Sequence, residues 1–169
     1  MGHVLHAVVG PKTTVAEFAS RWTGARRVDL RQVFALVPLT AALHDDIVEL
    51  TDLKASDPHP GFERLSAGVA LALQEVSRIG PVGYVETGYF GGVGTQKAVA
   101  WEGGKLLLGP FHTETVWTEE GPRTNPPGEG AINRVLAKLG VWTRGAVDPF
   151  DMLELGKFRD TESLADKHA

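Results

Sequence analysis

The residues whose types could do chemistry gather in one stretch, Tyr84-Val85-Glu86-Thr87-Gly88-Tyr89-Phe90-Gly91-Gly92-Val93-Gly94-Thr95-Gln96. Gly91, Gly92 and Gly94 permit positive φ and close backbone approach to a partner, and successive amides in such a bend can form an anion-binding nest. The phosphate-loop pattern fails, because no Gly-Lys-Ser or Gly-Lys-Thr follows. The dinucleotide fingerprint fails too: a strand, not a helix, is predicted after the glycines. The plainer reading is a wide hairpin or bulge required by a sheet. Glu86 and Gln96 flank the bend. If the hairpin pairs Tyr89 with Thr95, Glu86 stands opposite Ala98 and diagonal to Gln96. Tyr84, Glu86, Gly88, Gln96, Ala98 and Ala100 then share one face, and Val85, Thr87, Val99 and Trp101 the other. Such a face suits a carboxylate that is partly exposed or hydrogen-bonded to backbone amides, or a concave site whose carboxyl has a raised pKa. A lone Glu defines no reaction class, so no catalytic residue is assigned. The candidate ligand or partner contacts are Glu86, Tyr89, Phe90, Gly91, Gly92, Gly94 and Gln96, with Trp117 in a polar segment as the best candidate for an exposed anchor.

The other reactive types do not assemble. His3 and His6 are three apart on a predicted strand and point to opposite faces. His44 has no second histidine four residues away. His112 and Glu114 alternate onto one face but lack a third ligand, so no metal is expected, and no cofactor. The five serines, Ser20, Ser56, Ser66, Ser77 and Ser163, lie in no nucleophile elbow. Zero cysteines exclude disulfides, thiol nucleophiles and thiolate metal sites. Arg26, Arg27 and Arg31 form the densest basic cluster, interrupted by Asp29, and a net charge of -4 argues against a phosphate-backbone binder. No nucleic-acid or membrane partner is expected, and without a targeting pattern the expected location is cytoplasmic.

The elements that must position these residues follow from periodicity and punctuation. Gly and Pro, 20 and 10 of 169 residues, promise many turns. A strand over 3–9 ends at Gly10-Pro11. Thr14 and Glu17 have capping-box form, opening a helix with Val15, Phe18 and Trp22 on one side. Residues 28–37 favour a strand. Thr40 caps a second helix, and a polar, Pro-rich loop spans 52–61. Phe62, Leu65, Val69, Leu73, Val76 and Ile79 recur every three or four residues, which predicts a helix over 62–79. Residues 82–109 read as a three-stranded meander with a two-residue turn at Gly103-Gly104. The segment 111–130 is loose, with His112–Trp117 as a short edge strand. A helix over 129–139 stops at Gly140, and Asp148-Pro149 starts a short one. The predicted fold is a single α+β domain over 1–160, a mostly antiparallel sheet of about five strands packed against two or more helices, with residues 161–169 as a frayed tail.

The stretch 84–96, together with Asp148-Pro149-Phe150-Asp151 and Leu155-Gly156-Lys157-Phe158-Arg159, resembles a group of small bacterial proteins frequent in actinomycetes. They share the motif Tyr-x-Glu-Thr-x-x-Phe-Gly-Gly-x-Gly-x-Gln. The resemblance covers roughly the second half of the chain and implies no activity, so it transfers no functional residue. Small acidic bacterial proteins often serve as immunity proteins that neutralise toxins. The expected function by that analogy is a non-enzymatic protein that binds a toxin-like partner. The alternative is a small enzyme or small-molecule binder with Glu86 and Gln96 in a pocket beside the 90–94 loop.

Overall fold

A computed structural model describes residues 2–51, 59–145 and 147–168. Eight strands, β1 (Gly2–His3), β2 (His6–Pro11), β3 (Val28–Asp29), β4 (Phe34–Pro38), β5 (Val82–Phe90), β6 (Val93–Glu102), β7 (Lys105–Thr118) and β8 (Gly121–Asn125), form one sheet. Its order is β3-β4-β2-β5-β6-β7-β8, with β1 also on β5, and every pairing between these strands is antiparallel. The helices are α1 (Lys12–Arg21), α2 (Ala41–Thr51), α3 (Ala67–Val76), α4 (Ala131–Leu139), α5 (Pro149–Met152) and α6 (Thr161–Lys167).

Strand alternation sends successive side chains to two cores. Val8, Val37, Tyr84, Val99 and Trp101 pack with Val15, Phe18, Leu43, Ile47, Val69 and Leu73 from α1, α2 and α3. Ala7, Leu36, Val85, Ala98 and Ala100 pack with Ile132, Val135 and Leu136 from α4 and with Leu153, Leu155 and Leu164 near the C-terminus. β4 is buried on both faces, which is why Phe34–Val37 is a continuous apolar run rather than an alternating one.

The antiparallel α and β architecture is as expected, but the sheet has eight strands rather than about five. The strand predicted over 3–9 divides into β1 and β2, and the one predicted over 28–37 divides into β3 and β4. β1 and β3 have two residues each, and the segment read as loose is the second half of the 14-residue β7 plus β8. His112–Trp117 is consequently not an edge strand, since β7 pairs with both β6 and β8.

Three helix boundaries also moved. α1 begins at Lys12, whose amide donates to the Val33 carbonyl at 2.8 Å, so Thr14 is buried inside the helix instead of capping it. The helix predicted over 62–79 is only Ala67–Val76, capped by the Ser66 hydroxyl, which accepts from the Val69 amide. Phe62 and Leu65 are buried from an irregular segment, and Ile79 is exposed. The last residues form α6 and bury Thr161 and Leu164 where a frayed tail was expected. By contrast, Thr40 caps α2 through the Leu43 amide, Asp148 caps α5 through the Asp151 amide, and Gly140 ends α4 at φ 105°. Most of the loop predicted over 52–61 lies outside the described residues.

Candidate functional site

The bend after Tyr89 is tighter than the wide loop or bulge predicted. Phe90 pairs with Val93, leaving Gly91 and Gly92 as a two-residue turn with φ 61° and 81°. Positive φ at both central residues is what a primed hairpin turn requires. Gly94 serves a different purpose: it pairs with Tyr89 at φ 154°, and a Cβ there would fall on the Gly88 carbonyl oxygen. The register is therefore one residue from the expected one. Glu86 faces Lys97, and Gln96 faces Thr87. A one-residue slip moves side chains to the other face. Glu86 and Gln96 consequently leave opposite faces of the sheet and share no pocket.

Glu86 is 3% exposed and lies on the face covered by α1–α3. Its carboxylate accepts from the backbone amides of Glu63 (2.8 and 3.0 Å) and Arg64 (2.8 Å), and from the Tyr84 hydroxyl at 2.8 Å. Lys97 Nζ lies 3.8 Å away. Burial, and behind it the Glu86 charge, push the Tyr84 phenol well above its ordinary pKa, so it remains a donor. Nearby, His6 Nε2 meets the Glu63 carboxylate at 2.8 Å, and this bond holds Glu63 below the usual carboxylate range. Four partners surround Glu86 and fasten the irregular segment before α3 to the sheet. This explains why residues 62–65 do not continue the helix: their amides serve a carboxylate instead.

On the other face, Thr87 Oγ1 accepts from the Leu5 amide at 2.9 Å and meets His3 Nδ1 at 2.7 Å. Gln96 Oε1 accepts from the Ile132 amide at 3.2 Å, supporting the first turn of α4. His3 Nε2 lies 3.1 Å from the Leu155 carbonyl. Burial holds the His3 imidazole below its ordinary pKa, and nearby Arg159 acts in the same direction against the Leu155 carbonyl. A cavity of about 370 Å³ opens on this side, lined by His3, Tyr89, Gly92, Gln96, Phe150, Gly156 and Arg159. It brings together three of the predicted contacts, Tyr89, Gly92 and Gln96, and excludes Glu86.

No family model, curated protein or solved structure matches this chain. The site is therefore read from its own geometry. At the turn, Phe90 is 75% exposed, Trp117 60% and Val93 37%. Trp117 Nε1 donates to the Gly91 carbonyl at 3.3 Å, and its indole lies over Gly92. Phe90 and Val93 project from the Glu86 face, while Tyr89 projects from the cavity face. His112 stands opposite Lys97, whose ammonium disfavours a cation there, and no metal-binding group of three acidic or histidine side chains occurs among the described residues. Arg27 pairs with Asp29 and Arg31 with Glu154, so two members of the basic cluster have acidic partners. No helix among the described residues is long and apolar enough to cross a membrane. Sequence reasoning set His3 aside and noted Phe150 only within Asp148–Asp151, because their meeting depends on distant segments that only the fold unites. Arg159 stood out only as the last residue of the Leu155–Arg159 segment.

Proposed function

We propose that this chain is a non-enzymatic, cytoplasmic partner-binding protein of the immunity type, and that it docks a toxin-like protein through the tip of the β5–β6 hairpin. The observation that carries the reading is the aromatic tip. Phe90 and Trp117 stay largely exposed around a Gly91-Gly92 turn that Trp117 itself braces. Aromatic side chains with polar surroundings are favoured anchors of protein interfaces, and a braced turn loses little conformational freedom on docking. The polar residues of the 84–96 stretch have other employment: Glu86 fastens the segment before α3, Thr87 holds Leu5 and His3, and Gln96 supports α4. Phe90 has no such task. Trp142, the other largely exposed tryptophan, lies under the Arg144 guanidinium at 5.1 Å.

The test is affinity capture from a native lysate, followed by titration of the captured protein. Phe90→Ala should weaken that complex by about 2 kcal/mol or more, roughly 30-fold in Kd. It should move folding stability by less than about 0.5 kcal/mol, as for other exposed sites. Unchanged affinity in Phe90→Ala would remove the tip from the interface.

A further inference from the structure

The cavity on the opposite side of the sheet from Phe90 has a definite donor inventory. Among the described residues no carboxylate lies within 4.0 Å of the Arg159 guanidinium. Gln96 commits its oxygen to the Ile132 amide, which leaves its NH2 as the free end. The Tyr89 hydroxyl has only a long 3.4 Å contact with Thr115 Oγ1. Both His3 nitrogens are engaged, and burial favours the neutral ring. His3 therefore closes the cavity without adding charge. Phe150 stands edge-on to His3 at 5.8 Å and supplies an apolar wall. Among the described residues no acidic side chain lines the space.

One guanidinium, one amide donor and one hydroxyl match a single negative charge. A planar guanidinium fork suits a carboxylate in particular. The volume of about 370 Å³ falls within the range of small-molecule sites and exceeds what one acidic side chain fills. Beyond Arg159 a second groove is lined by Lys167, Asp160 and Lys157, the last paired with Glu154 at 3.1 Å. We propose that this cavity binds a small organic monocarboxylate, with the carboxylate on Arg159 and Gln96 and the apolar body against Phe150. The proposed ligand contacts lie on the other face of the sheet from Phe90, although the Gly92 turn borders the cavity.

The experiment titrates the full-length, isotope-labelled protein with phenylacetate, benzoate and isovalerate and follows amide resonances. Saturable shifts around Gln96, Phe150 and Arg159 are expected, with Kd of about 1 mM or tighter. Phenylacetamide, the same body without the charge, should bind at least ~10-fold more weakly. Arg159→Met should lose at least ~10-fold while its melting temperature holds, because the Arg159 side chain is exposed. Gln96→Glu keeps an acceptor for the Ile132 amide but should repel the ligand. Phe90→Ala should bind normally, which separates this site from the docking surface. Saturation by none of the three acids, equal binding of the amide, or an unaffected Arg159→Met would each overturn the proposal. Tighter binding of phenyl phosphate would overturn the monoanion assignment. Tighter binding of an N-acetylated, C-amidated glutamate would assign the cavity to an acidic side chain of a protein partner.

Discussion

At the scale of single residues, a buried carboxylate must find donors, and Glu86 finds two amides, a phenol and a lysine. Glu86→Gln removes the charge and turns an NH2 toward amides that need an acceptor. It should lower stability by about 3 kcal/mol, the scale of a charged hydrogen bond lost with a donor left unsatisfied. Urea unfolding measures the loss, and faster amide exchange at Glu63 and Arg64 locates it; an unchanged midpoint would mean that Glu86 is dispensable. The importance of Glu86 and Gln96 was legible in the sequence, but their relation was not. Gly94 looked like part of the loop, and counting it there shifted the register by one. His3 makes a second prediction. Its folded pKa lies below the value of about 6.5 it has when unfolded. Below that pH the unfolded chain binds the extra proton, so this contribution is complete above about 6.5 and is lost as pH falls through the folded value. Glu63, Glu154 and Asp160, whose pKa values are lowered, lose theirs at lower pH, in the carboxylate range. Stability should thus decline as pH falls below about 6.5, and His3→Gln should flatten that decline. Parallel profiles for the two proteins would show that another group carries it.

At the scale of elements, the two glycine pairs in the meander are the same device. Gly103-Gly104 has φ 62° and 76° between Glu102 and Lys105, much like Gly91-Gly92. The first was read correctly because apolar runs, Ala98–Trp101 and Leu106–Leu108, lie on either side of it; the second was obscured by the third glycine. Gly91 has open space around its Cβ position, so only backbone strain opposes a side chain there. Gly91→Val should cost about 1–2 kcal/mol, and Gly91→Asn clearly less, because Asn tolerates the left-handed region. Equal losses in thermal unfolding would mean that something other than φ is responsible. Apolar spacing alone misled over 62–79, where Phe62 and Leu65 keep helical spacing yet pack from irregular chain. What breaks the helix is Glu86, more than twenty residues away, and no local pattern can register that. Val33 is a comparable case: it holds φ 63° while 71% exposed, an unfavourable conformation for a β-branched residue. Lys12 draws the Val33 carbonyl into the start of α1, and Gln32 bonds both the amide and the carbonyl of Trp142.

At the scale of the whole molecule, the C-terminus closes the fold over the N-terminus. The Val4 amide donates to the Arg159 carbonyl at 2.9 Å, and the Thr161 amide returns a bond to the Val4 carbonyl at 3.1 Å. The Thr161 hydroxyl accepts from the His6 amide at 2.9 Å, and Leu164 joins the core beneath α4. Composition makes these last residues look like a solvated tail, since their apolar content is low and only a fold that brings residue 4 beside residue 160 gives them partners. The same closure roofs the cavity, because Arg159 precedes the helix that anchors it. Deleting residues 160–169 removes the buried Leu164, worth about 1.5–3 kcal/mol, and several hydrogen bonds worth about 0.5–1.5 kcal/mol each. The expected loss of about 3–5 kcal/mol is a large share of the roughly 5–15 kcal/mol that stabilises a typical domain. The truncated protein should unfold at markedly lower urea concentration and show faster amide exchange at Leu5 and His6, which lose their cover. A frayed tail would instead leave both the midpoint and the exchange of β2 unchanged, so the deletion decides between a closing helix and a dispensable end.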